Sequence, residues 1–368
     1  MNKIFNVIWS ESAGKWVVTS ELTRKGGQRP RQIRRTALAG VIAGILMQAT
    51  PVMATDYNGE TLEDITMDLY DGDTATSTTI NSGGAQRIYS GGSATSTTIN
   101  SGGAQHIYSG GSATSTTINS GGNQYVYSGG SAINTTINSG RQVVYSGGSA
   151  TSTTIINSGW QYVHNGGSAT STTIDSGGVQ YISSDGSATS TTINSSSWQY
   201  VHNGGRATST TINSGGVQYV SSGGSATNTT INSGGQGVYN GGSVTSTTID
   251  RSGVQYLYNG SATSTTINSG GVQYVYSGGS ATNTTINSGG QVVYSGGSVT
   301  STTIDSGGSQ YVSVGGSATN TTINGGRQGV YSGGSVSNTI INEGEQLVIG
   351  GHAISTTINS GGKQTVHT

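Results

Sequence analysis

Most of the chain follows one short pattern of polar and apolar positions, which recurs from Thr74 to Thr368. The copy at residues 91–109 reads GGSATSTTINSGGAQHIYS in one-letter code, and equivalent Asn or Asp residues follow each other at spacings of 17 to 19. Each copy holds two runs rich in Thr, Ile, Val and Tyr, which favour strands, and Gly-rich corners separate the runs. Because no 3.6-residue periodicity is present, the pattern predicts strands and no helices in this region.

A repeat of this length indicates a solenoid, since one copy is too small to bury a core alone. We therefore predict an all-β fold: a right-handed parallel β-helix (β-solenoid) with one copy in each of about sixteen rungs of 17–19 residues. At about 4.8 Å a rung, such a rod is on the order of 75–80 Å long.

Alternation within each run predicts which side chains enter the core. Gln105 and Ile107 share one parity in the second run, and Gln recurs at that position in all sixteen copies. Thr97 and Ile99 share the inward parity of the first run. Stacked amides can hydrogen-bond along the axis, so we expect a buried Gln ladder beside columns of Val and Ile. The outward positions in this copy are Ser96, Thr98, Asn100, His106 and Tyr108.

Tyrosines gather in two outward columns that flank the inward Val column, and these columns hold 17 of the 19 Tyr in the chain. Tyr offers amphipathic contact area at low entropy cost, so we take the first column as the candidate binding face. A second interpretation stays open, in which stacked rings only pack against each other on the sheet surface. The first column is Tyr125, Tyr162, Tyr181, Tyr200, Tyr219, Tyr256, Tyr274 and Tyr311. The second column is Tyr89, Tyr108, Tyr127, Tyr145, Tyr239, Tyr258, Tyr276, Tyr294 and Tyr331.

Composition narrows the function classes. Only 31% of the residues are hydrophobic, 63 of the 368 are Gly, and the net charge is −1. A narrow solenoid core needs few large side chains, so this composition suits a folded rod, and the near-zero charge removes the basis for nucleic-acid binding. With no Cys, the chain has no disulfide framework and no Cys-type zinc site.

The first 54 residues differ from the rest, with eight bases and two acids against six bases and 13 acids. A basic stretch (Arg29–Arg35) precedes an apolar run (Ala37–Met47) that is too short to span a membrane. A small-residue site follows, which predicts a secretory signal cleaved between Ala54 and Thr55. Upstream, MNKIFNVIWSESAGKWVVTSEL resembles the extended signal-peptide region of Gram-negative type V secreted proteins, which implies contact with the export machinery.

The repeats carry few groups for catalysis or metal binding. Asp175, Asp250 and Asp305 share a column but lie four and then three rungs apart, too far for a paired-carboxylate mechanism. His164 and His202 share a column two rungs apart, roughly 10 Å, which is too far to share one metal. We therefore expect no enzyme activity, no cofactor and no metal.

The skeleton GGxAxxTTINxGGxQxV looks like the passenger repeats of self-associating autotransporter adhesins of the diffuse-adherence type. This resemblance implies a surface-displayed β-helix that mediates cell–cell self-association, surface adhesion and biofilm formation. It implies as partners the same protein on neighbouring cells, and glycans or proteins of host surfaces and matrices. Some members of the family carry heptose on Ser or Thr, and the outward Ser96, Ser115 and Ser171 are the candidate sites here.

We divide the chain into an extended signal peptide (1–54), an acidic non-repeating cap or linker (55–73) and the β-helix passenger (74–368). The outer-membrane barrel that ends members of the family has no counterpart in this sequence, so we expect a passenger fragment or a truncated product. We expect the chain as given to be periplasmic, without a membrane-spanning segment after signal removal. It should reach the cell surface or the medium when a translocator is supplied.

Three other function classes stay open. An amyloid-like extracellular matrix protein would share the period and the amide ladders, and fibre diffraction would separate it from a monomeric rod. An ice-binding solenoid would need outward Thr pairs, whereas parity places Thr95 and Thr97 inward with Ile99. A polysaccharide-degrading β-helix enzyme would need acids clustered on neighbouring rungs.

Overall fold

The computed structural model describes residues 5–10, 15–20 and 53–367, which fall in two units divided after Val52. In the first unit, Phe5–Ser10 pairs antiparallel with Lys15–Ser20, with Phe5 opposite Ser20. The basic stretch and the apolar run of the predicted signal lie outside the described residues.

The second unit is a parallel β-solenoid, which confirms the predicted fold class. Its strands form one 47-stranded sheet, in which each strand pairs in parallel with the equivalent strand one turn away. In the copy at residues 91–109, for example, Gln105 lies beside Gln86 of the turn before and Gln124 of the turn after. Register is thus kept from turn to turn, and like residues stack on like.

Each turn has a first, a second and a third strand, and neighbouring strands merge in four turns. The first strands are Asp56–Asn58, Thr74–Thr76, Ser93–Thr95, Ser112–Thr114, Ser131–Ile133, Ser149–Thr151, Ser168–Thr170, Ser187–Thr189, Arg206–Thr208, Ser225–Thr227, Ser243–Thr245, Ser261–Thr263, Ser317–Thr319, Ser335–Ser337 and His352–Ile354. First and second strands merge in Ser280–Ile286 and Ser298–Ile304. The other second strands are Thr61–Leu62, Thr79–Ile80, Thr98–Ile99, Thr117–Ile118, Thr136–Asn138, Thr154–Ile156, Thr173–Ile174, Thr192–Ile193, Thr211–Ile212, Thr230–Asn232, Thr248–Asp250, Thr266–Ile267 and Thr357–Ile358.

The third strands carry the Gln and Tyr columns. Second and third strands merge in Thr322–Tyr331 and Ile340–Ile349. The other third strands are Thr66–Leu69, Ala85–Ile88, Ala104–Ile107, Asn123–Val126, Arg141–Val144, Trp160–His164, Val179–Ser183, Trp198–Val201, Val217–Ser221, Gly235–Tyr239, Val254–Tyr258, Val272–Tyr276, Gly290–Tyr294, Ser309–Val312 and Gly362–His367.

The expectation of two strand runs per copy is wrong by one strand. Ser96 has a φ of +58°, in the left-handed region, and together with Thr97 it separates Ser93–Thr95 from Thr98–Ile99. The Ser or Asn at this corner has a φ from +55° to +59° in each repeat. The bend restarts the alternation of inward and outward side chains. Thr95 is therefore exposed, whereas parity across an unbroken run predicts that it points inward.

Five inward side chains per turn fill the core. In the copy at residues 91–109 they are Ala94, Thr97, Ile99, Gln105 and Ile107, each at most 1% exposed. The inward parity predicted for the last four is confirmed. The inward Ala belongs to the first strand, which the sequence did not separate from the second.

A ladder of buried glutamines runs the length of the repeats. From Gln105 to Gln364, each side-chain Nε2 donates to the Oε1 of the Gln one turn earlier, at 2.6–2.8 Å. Inward threonines join it, as where Thr116 Oγ1 donates to Gln105 Oε1 at 3.3 Å. The predicted ladder is therefore present, and it lies within one chain.

Residues 55–73, expected to be a cap or linker, form a complete turn with the same three strands. Met67, Leu69 and Leu62 are buried and lie beside Gln86, Ile88 and Ile80 of the next turn. The sequence hides this turn because Met67 stands where the repeats have Gln. Residue 74 thus begins the sequence repeat, whereas the solenoid begins one turn earlier.

The Gly-Gly corner after each third strand is crowded by the turn before it. A Cβ on Gly224 would lie 2.2 Å from the carbonyl oxygen of Val201, and Gly occupies this second corner position in every turn from Gly92 to Gly351. The first corner position instead needs a positive φ, which is +76° at Gly223. Asp185 and Asn259 take equivalent positions at +62° and +54°.

Candidate binding surface

The outward face of the third strands carries a nearly continuous stack of aromatic rings. Tyr70, Tyr89, Tyr108, Tyr127 and Tyr145 stack with centroids 4.9–5.1 Å apart and planes within 8° of parallel. Strand pairing at the 4.8 Å spacing places the rings at the offset that aromatic pairs prefer. Tyr70 belongs to the second Tyr column, although the sequence placed it outside the repeats.

In the following turns the stacked rings belong to the first Tyr column, and the ring after Tyr219 belongs to the second column again. Tyr162, Tyr181, Tyr200 and Tyr219 stack at 5.0–5.2 Å. The next ring in line is Tyr239 of the second column, 6.1 Å from Tyr219. Gly237 makes this crossing possible, since a Cβ there would lie 2.3 Å from Tyr239 Cε2.

Stacking changes the protonation chemistry of this face. Burial and neighbouring phenols raise the pKa of Tyr276 to about 12. Burial also raises the pKa values of Tyr127, Tyr162 and Tyr200. Burial and the charge of Arg87 lower the pKa of His106. The face is therefore uncharged around neutral pH wherever these rings cover it.

The outward face of the second strands carries an amide ladder in place of rings. Asn100 Nδ2 donates to Asn81 Oδ1 at 2.9 Å, and similar bonds continue to Asn157. The ladder has no such bond at Asp175 among the described residues. This face is polar, partly exposed and regular, as the outward assignment of Asn100 predicted.

The three predicted glycosylation sites lie on one edge of the rod. Ser96, Ser115 and Ser171 all occupy the left-handed corner between first and second strands, with φ of +57° to +58°. All three are exposed, because the corner turns its side chain away from the core. The equivalent corner residue is Asn in several turns, for example Asn228.

The predicted cleavage point lies at the start of the first turn. The Thr55 backbone N–H donates to Asp73 Oδ1 at 2.8 Å, and the Tyr70 N–H donates to Asp73 Oδ2 at 2.8 Å. These hydrogen bonds lower the pKa of the Asp73 carboxyl. Asp73 occupies the second corner position, where later turns have Gly.

Asp175, Asp250 and Asp305 lie on the second strands' outward edge in well-separated turns, as the sequence indicated. Among the described residues, no group of three or more His, Cys, Asp or Glu side chains could hold a metal ion. The described part of the chain also holds no helix that is long and apolar enough to cross a membrane.

Comparison with known proteins gives matches along most of the chain. Residues 1–50 match the family described as the extended signal peptide of the type V secretion system. Five overlapping segments between residues 70 and 308 match the adhesin of the bacterial autotransporter system, probable stalk.

Two curated relatives and one solved structure are similar over the repeats. A 92-residue segment, 24% of the chain, is 65% identical to autotransporter CRAC of Citrobacter rodentium, and a segment of the same length is 58% identical to autotransporter adhesin/invasin TibA of Escherichia coli O78:H11. These segments span 6% and 9% of those proteins. A crystal structure of a TibC-catalyzed hyper-glycosylated TibA fragment superposes with a TM-score of 0.59 at 48% identity, covering 84% of this chain and all of that fragment.

Proposed function

Because the chain belongs to the adhesin family of bacterial autotransporter systems, we propose that it is the stalk of an exported adhesin that holds cells to each other and to surfaces. The extended signal region marks the chain for export. Display on the cell surface, self-association, adhesion to host or matrix glycans and proteins, and biofilm growth are the activities we assign to it.

The observation that carries this proposal is the regular outward surface of the solenoid. Its core is filled by columns of Ala, Thr, Ile and Val side chains and by the Gln ladder, while the Tyr columns and the Asn ladder repeat along the outside. A surface repeated every turn can make many weak contacts at once, and such contacts add through effective concentration. Similarity to an adhesin/invasin and the wide separation of Asp175, Asp250 and Asp305 in the described turns favour adhesion over carbohydrate cleavage.

The test is cell clumping by the chain displayed through a family translocator. We expect Tyr256→Ser, Tyr274→Ser and Tyr311→Ser together to weaken clumping or glycan adhesion several-fold. The matched control changes outward threonines of the same turns, Thr248→Ala, Thr266→Ala and Thr303→Ala. Unchanged clumping in the Tyr variant would make the rings surface packing only, and a displayed chain that never clumps or adheres would refute the proposal itself.

We propose that signal removal leaves Thr55 as the first residue of the exported chain. Cleavage after Ala54 would turn the Thr55 nitrogen into an ammonium group 2.8 Å from Asp73, forming an ion pair at the end of the rod. The first turn would then act as the cap. N-terminal sequencing of the exported protein tests the site, and Asp73→Asn should lower stability more in the cleaved form than in the uncleaved form, because only the cleaved form also loses the ion pair.

We also propose that the corner serines are glycosylated. The TibA structure is of a hyper-glycosylated fragment, and Ser96, Ser115 and Ser171 stand exposed at the corners between first and second strands. Mass spectrometry after co-expression with TibC is the test. Ser96→Asn should lose its sugar without a change of fold, because Asn occupies the same corner elsewhere, whereas a sugar on the strand residue Ser93 instead would contradict the assignment.

A further inference from the structure

A groove opens at the corner between second and third strands where one turn is shorter than its neighbours. Six steps along the chain join the core Ile118 to the ladder Gln124, but only five join Ile137 to Gln142. The shortened corner is recessed between two full corners, which leaves a groove of about 610 Å³. Its lining includes Gly121, Asn123, Ser139, Arg141, Asn157 and Trp160.

Arg141 is held in a fixed orientation on the groove wall. Its Nε donates to Asn123 Oδ1 at 3.0 Å, and its Nη2 donates to the Tyr125 hydroxyl at 2.8 Å. The guanidinium carbon lies 5.7 Å from the centroid of the Tyr125 ring, within cation–π range. These contacts use two of the five guanidinium N–H groups, so the remaining donors stay free for a ligand.

The charge of Arg141 has no counter-ion nearby. Arg141 is the only Asp, Glu, Lys or Arg between Arg87 and Asp175 in the sequence. Within the described residues it forms no ion pair. A guanidinium that is oriented and unpaired favours a planar anion such as a carboxylate, whose two oxygens match its paired donors.

Trp160 supplies the second half of the groove. It follows Arg141 directly in the neighbouring turn, and its side chain is 44% exposed. Tyr162 and Tyr181 approach its ring edge-on at 6.0 and 6.3 Å, which fixes the ring plane. An exposed indole held in place offers a flat apolar surface, suited to the C–H face of a sugar ring.

The chain contains its own negative control. Arg327 occupies the equivalent position on another five-step corner, beside a groove of about 330 Å³. There the next turn places Glu345 where Trp160 stands, and its carboxylate lies 3.2 Å from Arg327. That second groove lacks both the unpaired charge and the aromatic surface.

We propose that the groove at Arg141 and Trp160 binds an acidic sugar residue of a glycan. The sugar carboxylate pairs with Arg141, its apolar face lies on Trp160, and Asn123 and Asn157 contact its hydroxyl groups. This inference rests on the adhesin function proposed above and names the class of ligand for one site of that adhesin.

The experiment compares binding of the exported chain to glycans arrayed in matched acidic and neutral pairs, such as oligogalacturonate against its methyl ester and sialylated oligosaccharides against their asialo forms. The wild-type chain should bind at least one acidic member at least tenfold better than its neutral partner. Arg141→Gln and Trp160→Val should each remove most of that preference, and raised salt should weaken binding. Val is chosen because Val179 takes the same position one turn later.

Two matched variants serve as controls. Arg327→Gln and Trp198→Val change the same residue types in the same column, but Trp198 has Val179 and Val217 as neighbours instead of Arg. Both should bind acidic glycans as the wild-type chain does, with unchanged circular dichroism in all variants. Equal binding to acidic and neutral partners, equal losses in the control variants, or self-association of the chain through Trp160 would overturn the proposal. Cell clumping measured on the same variants reports separately on the adhesin function.

Discussion

Two amide ladders run along the same rod, and burial is what makes them unequal. Gln218 Nε2 donates to Gln199 Oε1 at 2.6 Å in the core, while Asn213 Nδ2 donates to Asn194 Oδ1 at 2.9 Å on the outside. Water can replace the outer bond but not the inner one. An amide left unpaired in the core therefore keeps its full desolvation cost.

This difference predicts unequal effects of removing one amide from the same turn. Gln218→Leu leaves the Nε2 of Gln236 without its acceptor at 2.6 Å, so unfolding should become easier by roughly 1–3 kcal/mol. Asn213→Ser should cost well under half of that. Denaturant titration of both variants measures the effect, and equal losses would mean that the core amides are not the more costly ones to break.

Single residues also show what could be predicted from the sequence. Gln105 and Ile107 could be placed because one occurs unvaried in every copy and the other shares its parity. Ser96 could not, since Ser is not a usual residue for a left-handed φ and nothing local marks the bend. Parity carried across that hidden corner consequently placed Thr95 on the wrong side.

At the scale of the elements, the corners set where the chain tolerates change. The two glycines of one corner are required for different reasons. The second is required because a carbonyl of the turn before leaves no room for a Cβ, and the first because its φ is positive. Gly224→Ala should destabilise the chain by about 1–3 kcal/mol, because its Cβ would meet Val201 O at 2.2 Å. Gly223→Asn should be nearly neutral, as Asn259 shows at the same corner position. Thermal melting of the pair distinguishes them, and a harmless Gly224→Ala would contradict this crowding.

The Tyr stack predicts a pH dependence at the alkaline end. Burial raises the pKa values of Tyr127, Tyr162, Tyr200 and Tyr276, so these phenols are harder to ionise in the folded chain than in the unfolded chain, where the pKa is near 10. The stability that this difference contributes is present below pH 10 and is lost as the pH rises towards the value of about 12 that Tyr276 has in the fold. Absorbance titration of tyrosinate in the native and the denatured chain should show ionisation at a higher pH in the native chain. Tyr276→Phe should reduce this difference.

The corner lengths were visible in the sequence, but their consequence was not. The five-step corner at Ile137–Gln142 reads as a missing glycine, and Arg141 and Trp160 read as unrelated variants of one column. Only the stacking of turns brings the recess, the unpaired guanidinium and the exposed indole together. A site of this kind depends on residues that differ from the consensus repeat. Sequence reasoning about repeats identifies the residues that the copies have in common, and so it misses such a site.

For the whole molecule, stability should depend on the number of turns. A turn has no core of its own and gains its contacts from the turns on either side, so the free energy of folding accumulates along the rod. Chains with sixteen, eight and two repeats should show decreasing resistance to denaturant, with little β structure in the shortest. Circular dichroism and denaturant titration measure this. Equal stability per residue in the two-repeat chain would contradict the stacked arrangement.

The in-register pairing of equivalent strands also has a genetic consequence. Every turn presents the same three strand edges to the next turn. When a whole repeat is inserted or deleted between two others, the turns that become neighbours can therefore pair in the same way as before. In DNA, unequal recombination between copies therefore yields chains that still fold, each longer or shorter by about 4.8 Å per repeat. The length of the rod is then heritable, and it can change in single steps without a compensating mutation anywhere else.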